Sequence, residues 1–114
     1  MKFERELLKG VAPVVVLEIL SRGQMYGYEL SSAISQRSGE ILTLGKGTLY
    51  PLLYNLEAKG LVTAEVRQSE SKRKRRYYSI TSEGKEKLNT QKQQWDKLNE
   101  AVSLVFNSGG IAIA

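Results

Sequence analysis

The stretch "GTLYPLLYNLEAKGLVTAEVRQ", residues 47–68, contains a change of period that decides the fold. Up to Gly60 the apolar residues recur at helical spacing, with Leu49, Leu52, Leu53 and Leu56 on one face and Gly60 as the stop. Pro51 is expected in the first turn of this helix, where a missing N–H costs little. Beyond Gly60 the period drops to two. Val62, Ala64 and Val66 alternate with Thr63, Glu65 and Arg67, the pattern of a half-buried strand. "KRRYYSI", residues 74–80, has the aromatic and β-branched content of a second strand, and the polar "SESK", residues 69–72, turns between them. A helix followed by a β-hairpin is the result.

Upstream, "VAPVVVLEILSRG", residues 11–23, is apolar from Val11 to Leu20 except at Glu18, too densely for a one-faced pattern. It predicts a central, nearly buried helix with Pro13 in its first turn, and "FERELLK" before it as a separate short helix or a kinked extension. In "YGYELSSAISQRSG", residues 26–39, Tyr26, Leu30, Ala33, Ile34 and Arg37 share a helical face, and Gly39 is placed as the C-terminal stop. The connector "EILTLGKG" has room for one short strand at Ile41 to Leu44.

Downstream, Thr81 and Ser82 are plausible caps for a last helix, with Glu83 and Glu86 near its positive dipole end. Leu88, Trp95 and Val102 recur every seven residues, with Leu98 and Val105 three positions later in their heptads; Gln91 breaks that second row. A narrow apolar stripe on a helix of roughly 25 residues packs against another helix. The expected division is therefore a DNA-binding winged helix-turn-helix over 1–81, a dimerisation helix over 82–107 and a flexible tail over 108–114.

Charge is unevenly placed. Seventeen Lys and Arg against 12 Asp and Glu leave +5 in 114 residues. Lys72, Arg73, Lys74, Arg75 and Arg76 supply five charges, so the remainder balances at 12 against 12. A concentrated run creates a local positive potential that attracts polyanions. Cysteine and histidine are both absent, which removes the thiol nucleophile, the commonest general base and the commonest metal ligand. No cofactor, metal or catalytic residue is expected. An enzyme would need paired carboxylates or a Ser–Lys dyad, and neither stands out in a predicted cleft. The N-terminus has no signal-peptide pattern, and the run Val11 to Leu17 is far short of a membrane span, so a soluble cytoplasmic protein without a membrane partner is expected.

The order of helices, hairpin and long helix describes a mostly α (α+β) winged helix-turn-helix with a long C-terminal dimerisation helix. In such a fold the second helix of the pair enters the major groove, N-terminal residues leading, and the hairpin, or wing, lies beside it. "YGYEL", "GTLYPLLYNLEAKGLV" and "RRYYSITSEGKEKL" closely resemble the signature of the PadR family of bacterial transcriptional regulators, from about Leu8 to Trp95. The single last helix resembles the short branch of that family, in which it exchanges with a partner's to form the homodimer. One departure lies at the hairpin tip, where many members carry glycine and this chain reads "SESKRKRR".

On the reading helix, the face opposite the leucines carries Thr48, Pro51, Tyr54, Asn55 and Ala58, with Lys46 just before the helix. Thr48 could cap the helix or bond a phosphate; Asn55 can pair bidentately with adenine. Pro51 is mainly structural. The resemblance implies a DNA-backbone role for the Tyr50 hydroxyl. The wing cations Lys72 to Arg76 are expected on phosphates, which position without specifying sequence. Leu88, Trp95, Leu98, Val102 and Val105 are expected at the dimer interface. The resemblance further implies that Trp95, with Leu98 and Val15, lines a site for a small hydrophobic or aromatic ligand, against plain packing of Trp95. The expected function is a homodimeric repressor on double-stranded DNA. The competing reading is an interaction module whose basic hairpin meets an acidic protein or an anionic surface.

Overall fold

The computed structural model describes residues 1–68 and 70–108. Its elements run α1 (Arg5–Leu20), β1 (Met25–Tyr26), α2 (Gly27–Arg37), α3 (Lys46–Ala58), β2 (Val62–Gln68), β3 (Lys74–Ile80) and α4 (Ser82–Asn107). The strands form one antiparallel sheet in the order β1-β3-β2. Apolar side chains from every helix and from the sheet meet in a single core, with Val16, Leu17, Leu30, Ile34, Leu53 and Val62 at its centre. The expected tail over 108–114 lies outside the described residues apart from Ser108.

Three local expectations are corrected. First, α1 is one helix from Arg5, with Pro13 inside it rather than in its first turn. Proline removes one N–H from the helical ladder. The buried residues Ala12, Val16, Leu17, Ile19 and Leu20 continue past it on the core side, and their packing offsets the lost bond. Second, no strand forms at Ile41–Leu44. Its backbone is held by side chains of the preceding segment instead: the Leu42 N–H donates to Ser38 Oγ at 2.9 Å, and Ser31 Oγ donates to the Leu44 carbonyl at 3.2 Å. Leu44 is buried while Ile41 is exposed, so the segment is anchored at one end. The third strand is β1, pairing Met25 with Tyr78 and Tyr26 with Tyr77. Tyr26 is thus the residue preceding α2, not a member of its buried face, and Arg37 is exposed.

Third, α3 begins at Lys46 with Gly45 as its N-cap, and the Thr48 and Leu49 N–H groups both donate to the Gly45 carbonyl. Thr48 therefore does not cap the helix, and Pro51 lies in the second turn. The Gly47 carbonyl that Pro51 leaves without a helical donor belongs to an exposed residue, where water satisfies it.

The junction after α3 accounts for the "TSEG" sequence. Gly60 turns with φ +75°. Thr81 Oγ1 donates to the Gly60 carbonyl at 2.7 Å and accepts from the Gly84 N–H at 3.0 Å, capping α4 and tying it to the end of α3. A Cβ at Gly84 would stand 2.1 Å from the Leu61 carbonyl oxygen, so only glycine lets the first turn of α4 pack there. Leu88 is buried against the body, and Lys92 pairs with Glu18 of α1.

Candidate nucleic-acid interface

The exposed surface of α3 has an outer ridge and two flanks. Leu49, Leu53 and Leu56 are buried, so helical spacing places Pro51, Tyr54 and Ala58 outermost. Lys46 and Tyr50 fall on the flank beside the wing, whereas Thr48 and Asn55 fall on the flank facing α1. The face expected to carry Thr48, Pro51, Tyr54, Asn55 and Ala58 is exposed, with Thr48 and Asn55 toward α1 and with Lys46 and Tyr50 outside it, toward the wing. Tyr54 is 76% exposed. Tyr50 lies across Gly27 of α2, where even a β-carbon would collide with its ring and hydroxyl.

Between α3 and the wing runs a cleft of about 640 Å³. Lys46 lines one wall and Arg73, Lys74, Arg75 and Arg76 the other; no carboxylate among the described residues lines it. Tyr50, Tyr28 and Tyr78 give it an aromatic floor and rim. Sequence reasoning passed over Tyr28, although an aromatic in the first turn of α2 with 72% exposure is a binding signal once the helix's buried face is known.

The hairpin divides the five cations of the run among different tasks. Lys72, Arg73 and Lys74 are exposed and have no ion pair among the described residues. Lys72 occupies the turn with φ +63°, the left-handed conformation that glycine adopts most readily, which explains how this tip closes without one. Arg75 stacks on Tyr26, its guanidinium carbon 4.2 Å from the ring centroid. Arg76 donates to both carboxylate oxygens of Glu57 on α3, at 2.7 and 2.8 Å. Those bonds, with a smaller contribution from Tyr78, raise the Arg76 pKa above its ordinary value. Arg76 was expected on phosphate; in the structure it joins the wing to α3.

On the other face of the sheet, Tyr26 and Tyr77 meet edge to face at 5.4 Å, and Arg67 lies 4.2 Å over Tyr77. Arg67 also bonds Gln24, whose amide reaches Ser79 at 3.0 Å. These contacts hold the hairpin to the body beyond the point where its core face ends, for Val66 is already 59% exposed.

Of the residues expected between two subunits, Trp95, Leu98, Val102 and Val105 are exposed along α4. Leu88 is not among them: it is buried in the core of its own chain, because the first turns of α4 pack on α1. Val15 is half-buried and packs against that same core. No group of acidic residues among the described residues could hold a metal ion, and no helix there is long and apolar enough to cross a membrane.

Residues 16–90 match the sequence model of the Transcriptional regulator PadR-like family. A solved transcriptional regulator from Clostridium thermocellum superposes with a TM-score of 0.79 at 28% identity, covering 86% of this chain and 95% of that one. A PadR-like transcriptional regulator from Bacillus cereus gives a TM-score of 0.75 at 33% identity, covering 89% and 96%. The negative transcriptional regulator PadR of Bacillus subtilis is 26% identical over 78 residues, which make up 68% of this chain and 43% of that protein.

Proposed function

The chain belongs to the PadR-like family of transcriptional regulators, which are not enzymes, and we propose that it acts as a homodimeric repressor on a pseudo-palindromic DNA operator. The observation that carries this reading is the cleft between α3 and the wing, lined by cations on both walls and, among the described residues, by no carboxylate. With the ridge of α3 in a major groove, Lys46, the Tyr50 hydroxyl and the cations Lys72 to Lys74 meet the phosphates of the adjacent strand. Such contacts set the register, and Tyr54 and Asn55 read base edges. Arg75 and Arg76 serve mainly to hold the wing in place.

The dimer is supported by α4. Trp95, Leu98, Val102 and Val105 are apolar, exposed and uncovered by any other element among the described residues. Gln91, which interrupts their row, has its Oε1 buried without a hydrogen-bond donor among the described residues. A second subunit would cover the stripe. Two reading helices would then address half-sites about one turn apart, ~34 Å. Repression is favoured because the Bacillus subtilis relative is named a negative regulator. Release by a small hydrophobic or aromatic ligand between the subunits, beside Trp95 and Leu98, completes the reading, since such a ligand shifts the dimer toward an arrangement that cannot bind DNA.

The test is to incubate the protein with sheared genomic DNA of its source at near-physiological salt and sequence the retained fragments. Enrichment of a few fragments sharing an inverted repeat is expected. Retention without a shared motif would overturn operator recognition, and no retention would overturn DNA binding itself.

A further inference from the structure

Opposite the wing, α3 borders a second and larger groove, of about 1180 Å³, against the N-terminal half of α1 and the start of α4. Its floor is apolar, with Ala12 of α1 and Leu52 and Leu56 of α3. Five cations line it, Lys2, Arg5, Lys9, Lys59 and Lys87, and among the described residues no carboxylate does. None of them has an ion pair among the described residues. Glu4 and Glu6 are interspersed in the sequence but point elsewhere, because Arg5 and Lys9 are one helical turn apart.

We propose that this groove is a second phosphate clamp, holding the strand of the duplex that the wing does not touch. The inference rests on α3 entering the major groove, and follows from the dimensions. A helix with its side chains is ~10–12 Å across and the major groove is ~12 Å wide, so a seated helix has a phosphate ridge on each side. One ridge meets the cleft beside the wing; the other meets this groove. The distribution of charge selects a polyanion over other occupants. A small amphipathic acid would need one cation at one end, and a partner helix would cover the apolar floor and leave rim cations in water, whereas these five, from α1, α4 and the segments adjoining α1 and α3, surround a single flank. Thr48 and Asn55 lie on this flank, so the clamp also fixes the angle at which they approach the bases.

The test uses the full chain and a random-sequence duplex longer than two helical turns, with affinity measured over a salt series. Variants are K2Q/R5Q/K9Q, K59Q/K87Q, the wing pair R73Q/K74Q, and R37Q as a control away from both clefts. Each lost phosphate contact should make the slope of log K against log salt shallower by about 0.9, and the triple variant should bind at least about tenfold more weakly. K59Q/K87Q should act in the same direction, R37Q should leave the slope unchanged, and helical content should be the same in all. If both groove variants behave like R37Q while the wing pair loses affinity, the clamp is overturned and the DNA reading stands; a changed oligomeric state in those variants would then assign the groove to a second subunit. If the wing pair also leaves affinity unchanged, α3 and the wing do not form a DNA interface, and both conclusions fall.

Discussion

On the wing flank of α3, positive charge comes from consecutive positions of one strand and turn; on the α1 flank, it comes from three helices and the segments that adjoin them. The two flanks carry comparable numbers of cations, yet their neighbours treat them differently. The wing run loses Arg76 to Glu57 and has Arg75 stacked on Tyr26, which leaves Lys72, Arg73 and Lys74 free to meet an anion. The groove cations have no ion pair among the described residues. A contiguous run therefore overstates the charge available to a ligand, and a dispersed set understates it. Counting 12 against 12 outside the run hides this, because among the described residues none of those carboxylates lines the groove.

The largest expected effect breaks both flanks at once. Gly84→Ala drives a Cβ into the Leu61 carbonyl, which unseats the start of α4 from the turn leading into β2. Chemical denaturation should show a loss of about 3 kcal/mol, at the upper end of overpacking costs. A loss below 1 kcal/mol would mean that α4 can shift on the body without cost.

Glu57→Gln sharpens the difference between the flanks. It removes the charge that engages Arg76 while leaving a hydrogen-bonding amide in its place. Arg76 then becomes available to phosphate, and the salt slope of DNA binding should steepen by about 0.9 per subunit. The pair is solvent-exposed, so stability should be nearly unchanged. An unchanged slope with weaker binding would show that Glu57 is needed to orient the wing and that Arg76 cannot reach DNA.

Lys72→Gly separates backbone from charge at the wing tip. Relief of the left-handed conformation should raise stability by about 1 kcal/mol, read from the thermal midpoint, while the lost cation weakens duplex binding. A fall in stability would mean that Lys72 is held in that conformation by contacts worth more than the strain.

The smallest effect is a pH dependence of the contact between α1 and α4. Hydrogen bonding from Lys92 lowers the Glu18 pKa below 4.5, against an opposing contribution from burial, with Arg22 adding to the decrease. A depressed carboxyl pKa contributes stability above the unfolded value, and that contribution disappears as pH falls through the folded value. The link between α1 and α4 should therefore weaken in acid but not between neutral pH and pH 6. Glu18→Gln should flatten this acid limb by a few tenths of a kcal/mol, as expected for a partly exposed pair. An unaltered acid limb would show that other carboxylates govern it.

Much of the architecture was legible in the residues themselves. The change of period at Gly60 placed α3 and β2, the composition of residues 74–80 placed β3, and the cap at Thr81 placed α4. These are consequences of covalent spacing: side chains at fixed intervals along a helix or strand share a face wherever that element finally packs. The elements that were misplaced depended on partners distant in sequence. Met25–Tyr26 becomes a strand only because β3 lies beside it, and Ile41–Leu44 does not because side chains of α2 and its C-cap take its backbone groups. Pro13 was read as a helix start because the continuation of the buried face beyond it is a matter of packing.

The candidate site divides in the same way. The wing's cations and the exposed positions of α3 could be named from order and spacing alone, and so could the apolar row Trp95, Leu98, Val102 and Val105. Only the folded chain decided that Leu88 belongs to its own core, that Arg76 faces Glu57, and that Lys2, Arg5, Lys9, Lys59 and Lys87 stand around one groove. Whether a charge is neutralised depends on distances of a few ångströms between groups that the sequence separates by tens of residues, and those distances are set by how the helices pack.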